Sequence, residues 1–170
     1  MLFRLFGEYL KSEDRELRQN RVRLSVIGRR DRLPRELMAA MEACETATAG
    51  GSRLHLRLAI DYSARSEILR AAESLALGER PDAELFRRRL GSADARGVAS
   101  PDVDLLIRTG GEYRLSDFLL WESAYAELYF MTRMWPDFRS DDLGAAVAEF
   151  RTRQRRFGGL PSGLAARELA

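Results

Sequence analysis

The apolar positions of the chain recur first at the spacing of a helix and then at the spacing of a strand. An apolar stripe predicts an amphipathic helix over residues 2–19, and alternation predicts a strand from Val22 to Ile27. The same two patterns continue along the chain. They predict a helix over 36–48, a strand over 54–60, a helix carrying Ile68 to Leu75, a short helix from Pro81 to about Leu90, and a last helix over 141–157.

This alternation of strands and helices predicts an α/β fold. The expected architecture is an open, mostly parallel sheet flanked by helices, in which ligands bind at the carboxyl ends of the strands. With 170 residues, 45% of them hydrophobic, the chain suits a single domain with a real core. We place that domain at 1–160 and expect a flexible tail over 161–170, where the residues are small and polar.

The stretch 101–138 carries the most specific chemistry of the chain. A short apolar run, Val103 to Ile107, predicts a buried strand, and Glu127 to Phe130 predicts a second one. Between them, a turn that starts at Arg108 leads to a helix that we expect to begin at Ser116 or Asp117. That helix would carry four apolar residues, Phe118, Leu119, Trp121 and Tyr125.

The turn between strand and helix is typical of an anion site. A helix amino terminus at the end of a parallel strand offers free backbone N–H groups and the positive end of the helix dipole. Gly110 and Gly111 allow close backbone approach, Arg108 and Arg114 supply forked donors, and Ser116 adds a hydroxyl. A diphosphate would suit these donors. A plain structural turn with solvated arginines is the alternative that the glycines alone leave open.

Composition excludes several other classes of protein. The 28 Lys and Arg residues nearly balance 26 Asp and Glu, and the charges are interspersed, which argues against a nucleic-acid-binding protein. The single cysteine, Cys44, excludes an internal disulfide and a cysteine-based zinc site, and we expect it to be buried. The only histidine, His55, is expected to have a surface or sheet-packing role. No apolar run approaches a membrane span, so we expect a cytoplasmic protein with at most peripheral membrane contact.

The run LLIRTGGEYRLSDFLLWESAYAELYF resembles the C-terminal signature of the cis-prenyltransferases, the undecaprenyl diphosphate synthase family. WPDF, RRFGG and the segment YSARSEI, which is similar to the family's YGGRxDI, extend the resemblance over essentially the whole chain. It implies an enzyme that condenses isopentenyl diphosphate with an allylic diphosphate to make a cis-polyprenyl diphosphate, with Mg2+ as cofactor.

The resemblance also implies roles for particular residues. Arg108, Arg114 and Ser116, with Gly110 and Gly111, fall on the positions that hold the diphosphate of isopentenyl diphosphate. Glu127 falls on a metal-binding carboxylate, and oxygen ligands of this kind suit Mg2+. Arg156 and Gly158 match an RxG element that reaches the partner's site across a dimer interface, so a homodimer, or a heteromer with a related chain, is expected. Trp121 and Tyr125 would lie in the core or the dimer interface.

The sequence departs from the family pattern in several places. Neither the Asp-Gly-Asn-Gly-Arg-Trp loop, which carries the catalytic Asp, nor the Ser-Thr-Glu-Asn-Trp segment occurs in these 170 residues. The resemblance therefore implies the C-terminal portion of the family fold, without one strand, one tunnel helix and half the active site, and we assign no catalytic residue. Ser63 and Ala64 replace a glycine pair and are expected to limit positive φ in that loop. Asp117 stands where Asn is usual.

Three hypotheses follow from these observations. The first is a cis-prenyltransferase polypeptide whose native form supplies the missing block. The second is a non-catalytic or partner-dependent paralogue that binds isopentenyl diphosphate and dimerises. The third, which disregards the resemblance, is a nucleotide- or phosphate-binding α/β domain. It is the weakest, because the sequence has neither a Walker loop nor a glycine fingerprint after an early strand.

Overall fold

The computed structural model describes residues 2–75, 80, 82–90 and 99–154. In these ranges the chain forms five α-helices and four strands, together with a short 3-10 turn at Trp135–Asp137. In chain order the elements are α1 Leu2–Gln19, β1 Val22–Ile27, α2 Arg35–Ala47, β2 Leu54–Ala59, α3 Ala64–Glu73, α4 Ala83–Arg89, β3 Leu105–Arg108, β4 Glu127–Phe130 and α5 Ser140–Thr152.

The strands form two parallel pairs, β1 with β2 and β3 with β4. The predicted α/β class with parallel strands is therefore confirmed, and the predicted bounds of α1 and β1 agree with the structure. The chain divides into two compact units: Met1–Ser100 with Asp117–Leu119, and Pro101–Ser116 with Leu120–Ala170. The predicted domain limit at residue 160 stays a prediction, and the expected tail over 161–170 lies outside the described residues.

The core of the first unit lies between α1, α2 and one face of the β1–β2 pair. Alternation along β1 directs Leu24 and Val26 into this core, where they are 2% and 5% exposed. Met41, which is fully buried, and Cys44 meet them from α2. The expectation that Cys44 is buried is confirmed, and burial raises the pKa of its thiol.

The opposite face of the β1–β2 pair is more polar. His55 on β2 is half-buried and lies 2.8 Å from the hydroxyl of Ser25 on β1. Burial is the largest cause of a lowered pKa for His55, and the charges of Arg57 and Arg23 lower it further. The half-buried position of His55 on β2 agrees with the prediction of a surface or sheet-packing role.

Side chains from α2 and from the turns on either side of it cap the outer edge of β1. The backbone N–H of Leu24 donates to Thr48 Oγ1 at 3.1 Å, and the N–H of Val26 donates to Glu45 Oε1 at 2.7 Å. The guanidinium of Arg30 donates to the carbonyl of Val26 at 2.9 Å and also pairs with Glu45. These contacts satisfy backbone groups that a neighbouring strand would otherwise bind.

Candidate functional site

The loop after β3 is held against the segment that follows β4. Gly110 and Gly111 have φ angles of 88° and 73°, in the left-handed region that glycine adopts without strain. Their backbone N–H groups donate to the carbonyls of Arg133, at 2.8 Å, and Met131, at 2.9 Å. The glycines therefore shape the loop through bonds within the protein, and their amides are not the free donors expected from the sequence.

The predicted helix after this loop is absent, which corrects the sequence interpretation. The structure describes residues 115–126 throughout and shows turns and bends there. Ser116 and Leu119 have φ angles of 61° and 45°, which interrupt a right-handed helix. A helix dipole therefore contributes nothing to anion binding at this loop, and the arginine side chains have to supply the positive charge.

Arg108 and Arg114 converge on a single carboxylate oxygen. The guanidinium of Arg108, at the carboxyl end of β3, lies 2.5 Å from Oε2 of Glu112, and the guanidinium of Arg114 contacts the same oxygen. Arg108 also donates to the backbone carbonyl of Arg114. The hydrogen bond from Arg114, and then the one from Arg108, lowers the pKa of Glu112. Two cations therefore already share one anionic oxygen in this loop.

Glu112 is the residue of this cluster to which sequence reasoning gave no role. Its position four residues after Arg108 and two before Arg114 was the available signal, because a carboxylate between two arginines is within reach of both. Ser116, the third predicted diphosphate ligand, is exposed at the end of the same loop.

Glu127 does not join this cluster. It pairs with Leu105 at the amino end of the β3–β4 pair, whereas Arg108 pairs with Phe130 at the carboxyl end, roughly 10 Å further along. The guanidinium of Arg153 lies 3.1 Å from Glu127 Oε2 and 2.9 Å from the carbonyl of Leu128. Arg153 also pairs with Glu149, at 2.5 Å, so it ties the end of α5 to the start of β4.

The described residues do not by themselves form a magnesium site. They contain no group of three or more His, Cys, Asp and Glu side chains that could hold a metal ion. Glu127 offers one carboxylate, and Arg153 already neutralises it. A Mg2+ ion keeps near-octahedral geometry and needs oxygen ligands beyond this one. The role of Glu127 as a metal ligand stays a prediction.

Two other sequence predictions have different outcomes. Arg156 and Gly158, the predicted RxG element, lie outside the described residues. In the YSARSEI segment, Ser63 has an extended φ of −141° and caps α3 by accepting the N–H of Ser66 at 3.1 Å. Positive φ occurs instead at Asp61, where it is 51°. Ser63 itself is therefore extended, but the loop still contains a positive φ, so the expectation that Ser63 and Ala64 limit positive φ in the loop stays a prediction.

The aromatic residues predicted for the core or a dimer interface are largely exposed. Trp121 is 37% exposed and Tyr125 is 66% exposed. They are therefore not core residues of the second unit, which corrects that part of the interpretation. Their place in a dimer interface stays a prediction.

Comparison with known proteins identifies the family. Residues 1–158 match the prenyltransferase family described as "Putative undecaprenyl diphosphate synthase". The chain belongs to this family. Isoprenyl transferase 1 of Bradyrhizobium diazoefficiens is 54% identical over 160 residues, which cover 94% of this chain. A ditrans,polycis-undecaprenyl-diphosphate synthase of Pseudomonas syringae pv. tomato, named as specific for (2E,6E)-farnesyl diphosphate, is 44% identical over 161 residues and 92% of this chain.

A solved structure gives a geometric check on the fold described above. Lavandulyl diphosphate synthase from Lavandula x intermedia, in complex with dimethylallyl diphosphate, superposes with a TM-score of 0.82 at 33% identity. The match covers 92% of this chain and 70% of that one. This chain spans 63% of the length of the Bradyrhizobium protein and 64% of the length of the Pseudomonas protein. In residues 2–75, 80, 82–90 and 99–154, no helix is long and apolar enough to cross a membrane.

Proposed function

We propose that this chain binds isopentenyl diphosphate in a cis-prenyltransferase that condenses it with an allylic diphosphate to make a cis-polyprenyl diphosphate. The observation that carries the proposal is the convergence of the Arg108 and Arg114 guanidiniums on one oxygen at the carboxyl end of β3. Two forked donors that already meet at an anionic oxygen are suited to the oxygens of a diphosphate.

The place of the loop in the fold supports this assignment. In open α/β sheets, ligands bind beyond the carboxyl ends of parallel strands, and Arg108 is the last residue of β3. Its side chain is 21% exposed and Arg114 is 63% exposed, so one arginine is partly fixed by packing and the other is open to solvent. In this proposal Arg108 orients the diphosphate and Arg114 closes on it, with the hydroxyl of Ser116 as a further donor.

The names of the relatives favour an enzyme over a non-catalytic paralogue. The two curated proteins are named as a transferase and a synthase, and the Lavandula structure contains an allylic diphosphate. On this basis we assign prenyl transfer to the whole protein and an allylic diphosphate as the second substrate. Because the chain belongs to this family, the third hypothesis, a nucleotide- or phosphate-binding α/β domain outside the family, is not retained.

Three finer parts of the proposal rest on the motif resemblance alone. They are a Mg2+ ion near Glu127, a homodimer or heteromer in which Arg156 and Gly158 reach the partner's site, and a cytoplasmic location with at most peripheral membrane contact. Sedimentation velocity would test the dimer, and loss of Mg2+-dependent activity in Glu127→Gln would test the metal.

Isothermal titration calorimetry with isopentenyl diphosphate tests the diphosphate site. Arg108→Ala and Arg114→Ala should each weaken binding by about 1.5–3 kcal/mol, the range for hydrogen bonds to charged groups. Arg151→Ala, an exposed change on α5 that removes the same charge, should leave the affinity unchanged. Unchanged affinity in both loop variants would exclude this site. Elongation of farnesyl diphosphate tests the transferase assignment separately: these 170 residues alone lack the Asp-Gly-Asn-Gly-Arg-Trp loop and should show little or no elongation, and turnover comparable to that of a full-length relative would contradict this expectation.

A further inference from the structure

Glu112 occupies the point at which the two arginines meet. Both guanidiniums contact Oε2 of this carboxylate, and Glu112 remains 44% exposed. The site proposed for an external anion is thus filled by an anion of the chain itself. An external diphosphate and the Glu112 carboxylate would use the same N–H donors, and these donors cannot bind both fully at once.

Charge makes this competition unfavourable for the external ligand. The carboxylate neutralises one of the two positive charges and repels a polyanion placed beside it. The repulsion between two unit charges about 4 Å apart in a water-exposed site is modest. Its free energy corresponds to a roughly five-fold decrease in affinity for the external anion. Because Glu112 is exposed, water can hydrate its carboxylate as soon as the arginines release it. Release is therefore accessible, and the contact is reversible.

We propose that Glu112 is a built-in competitor of the two-arginine site, which a diphosphate must displace from Arg108 and Arg114 in order to bind. This inference rests on the proposed function, because it concerns the same site. Glu112 lowers the affinity of the site for anions in general, so that a ligand needs several phosphate oxygens to replace the two contacts that it breaks. The lowered pKa of Glu112 agrees with an ionised carboxylate held by both arginines at neutral pH.

Titration of the 170-residue chain with inorganic diphosphate tests this competition. Glu112→Gln keeps the size of the side chain and removes its charge, so it should bind diphosphate about five-fold more tightly than the unchanged chain. Glu112→Ala removes the competing oxygens altogether and should change the affinity in the same direction. Glu42→Gln, on the exposed face of α2, makes the same change in net charge and should have less than a two-fold effect.

The outcomes separate this inference from the proposed function. If neither Arg108→Ala nor Arg114→Ala weakens diphosphate binding, the proposed site itself is wrong. If either of them weakens binding, but Glu112→Gln and Glu112→Ala bind equally or less tightly than the unchanged chain, the site stands and Glu112 is not a competitor. An equal gain in Glu42→Gln would show that net charge alone explains the effect, and would also overturn the inference. Circular dichroism of each variant verifies that it is folded.

Discussion

The carboxylate of Asp117 accepts the backbone N–H of Arg65 at 2.8 Å, although 52 positions separate the two residues. The carbonyl of Asp117 also accepts the N–H of Ala64 at 3.2 Å. A residue from the end of the GGEYRLSD motif thus satisfies amides in the first turn of α3, where a negative charge is also favoured by the helix dipole. Asp117 is thus joined to the YSARSEI segment by direct hydrogen bonds within the first unit.

This cap predicts a specific pH dependence of stability. The hydrogen bond from Ser63, followed by that from the Arg65 amide, lowers the pKa of Asp117 below its ordinary value of 3.8. A carboxylate whose pKa is lowered by folding gives its full stabilisation when the pH is above its pKa in the unfolded chain. This stabilisation is lost as the pH falls through its pKa in the folded chain. Asp117→Asn keeps an oxygen acceptor, so the cap remains. It removes the titratable charge, so the part of the acid destabilisation that comes from protonation of Asp117 should disappear.

Urea denaturation between about pH 2 and about pH 6, on both sides of the ordinary pKa of 3.8, measures this effect. The free energies of unfolding of Asp117→Asn and the unchanged chain should differ less at pH 2 than at pH 6. Glu42→Gln, on an exposed helix face, serves as the comparison. Parallel pH profiles for Asp117→Asn and the unchanged chain would show that the carboxylate charge does not stabilise α3.

The capped edge of β1 predicts that loss of one hydroxyl, that of Thr48, lowers the free energy of unfolding substantially. Thr48 is 2% exposed, and its hydroxyl accepts the Leu24 N–H and donates to the Cys44 carbonyl at 2.8 Å. Thr48→Val keeps the shape and removes both bonds, so it should lower the free energy of unfolding by about 1–3 kcal/mol. Thr46→Val, an exposed change on the same helix, should cost less than about 0.5 kcal/mol.

Hydrogen exchange provides the second measurement on this edge. The Leu24 amide should exchange faster in Thr48→Val than in Thr46→Val, because it has lost its acceptor. Equal protection of this amide in the two variants would mean that the hydroxyl of Thr48 does not protect the edge.

Replacing either of two glycines by alanine should change the stability of the chain, in opposite directions. Gly28 has a φ of 107°, and a Cβ there would lie 2.2 Å from the carbonyl oxygen of Ile60. Gly28→Ala should therefore destabilise the chain by at least about 1–3 kcal/mol, since it adds both strain and a clash. Gly144 lies within α5 and has open space around it. Gly144→Ala should stabilise the chain by about 0.5–1 kcal/mol. Thermal unfolding of the two variants checks both signs, and a stabilised Gly28→Ala would contradict the geometry of that turn.

Arg153 predicts a local effect on β4. Its guanidinium binds Glu127, the Leu128 carbonyl and Glu149, and the bonds to Glu149 and Glu127 raise its pKa. Arg153→Met keeps the length of the side chain and removes these bonds. Hydrogen exchange in 127–130 and in the last turn of α5 should then accelerate. Arg151→Met, two positions earlier on the exposed face, should not change it; equal exchange in both variants would show that Arg153 does not hold this junction.

The elements of the fold that depend on periodic burial were predictable from the sequence. Apolar spacing gave the bounds of α1 and β1, and Glu127 to Phe130 was recognised as a strand. The prediction of a helix after Ser116 was wrong, because Ser116 and Leu119 have positive φ angles. These angles are a property of the packed loop, and apolar spacing does not report them. Apolar spacing does not report ion pairs either: the signal for Glu112 is its position between Arg108 and Arg114, whereas Arg153 lies 26 residues from Glu127 and has no such local signal.

The side chains that satisfy the outer edge of β1 also set the direction in which its sheet can grow. With the amides of Leu24 and Val26 bound to Thr48 and Glu45, these two donors cannot template the strand of a second polypeptide. The edge of β2 is the other place at which a strand can extend this two-stranded sheet. The same arrangement disfavours edge-to-edge pairing of two folded chains through β1.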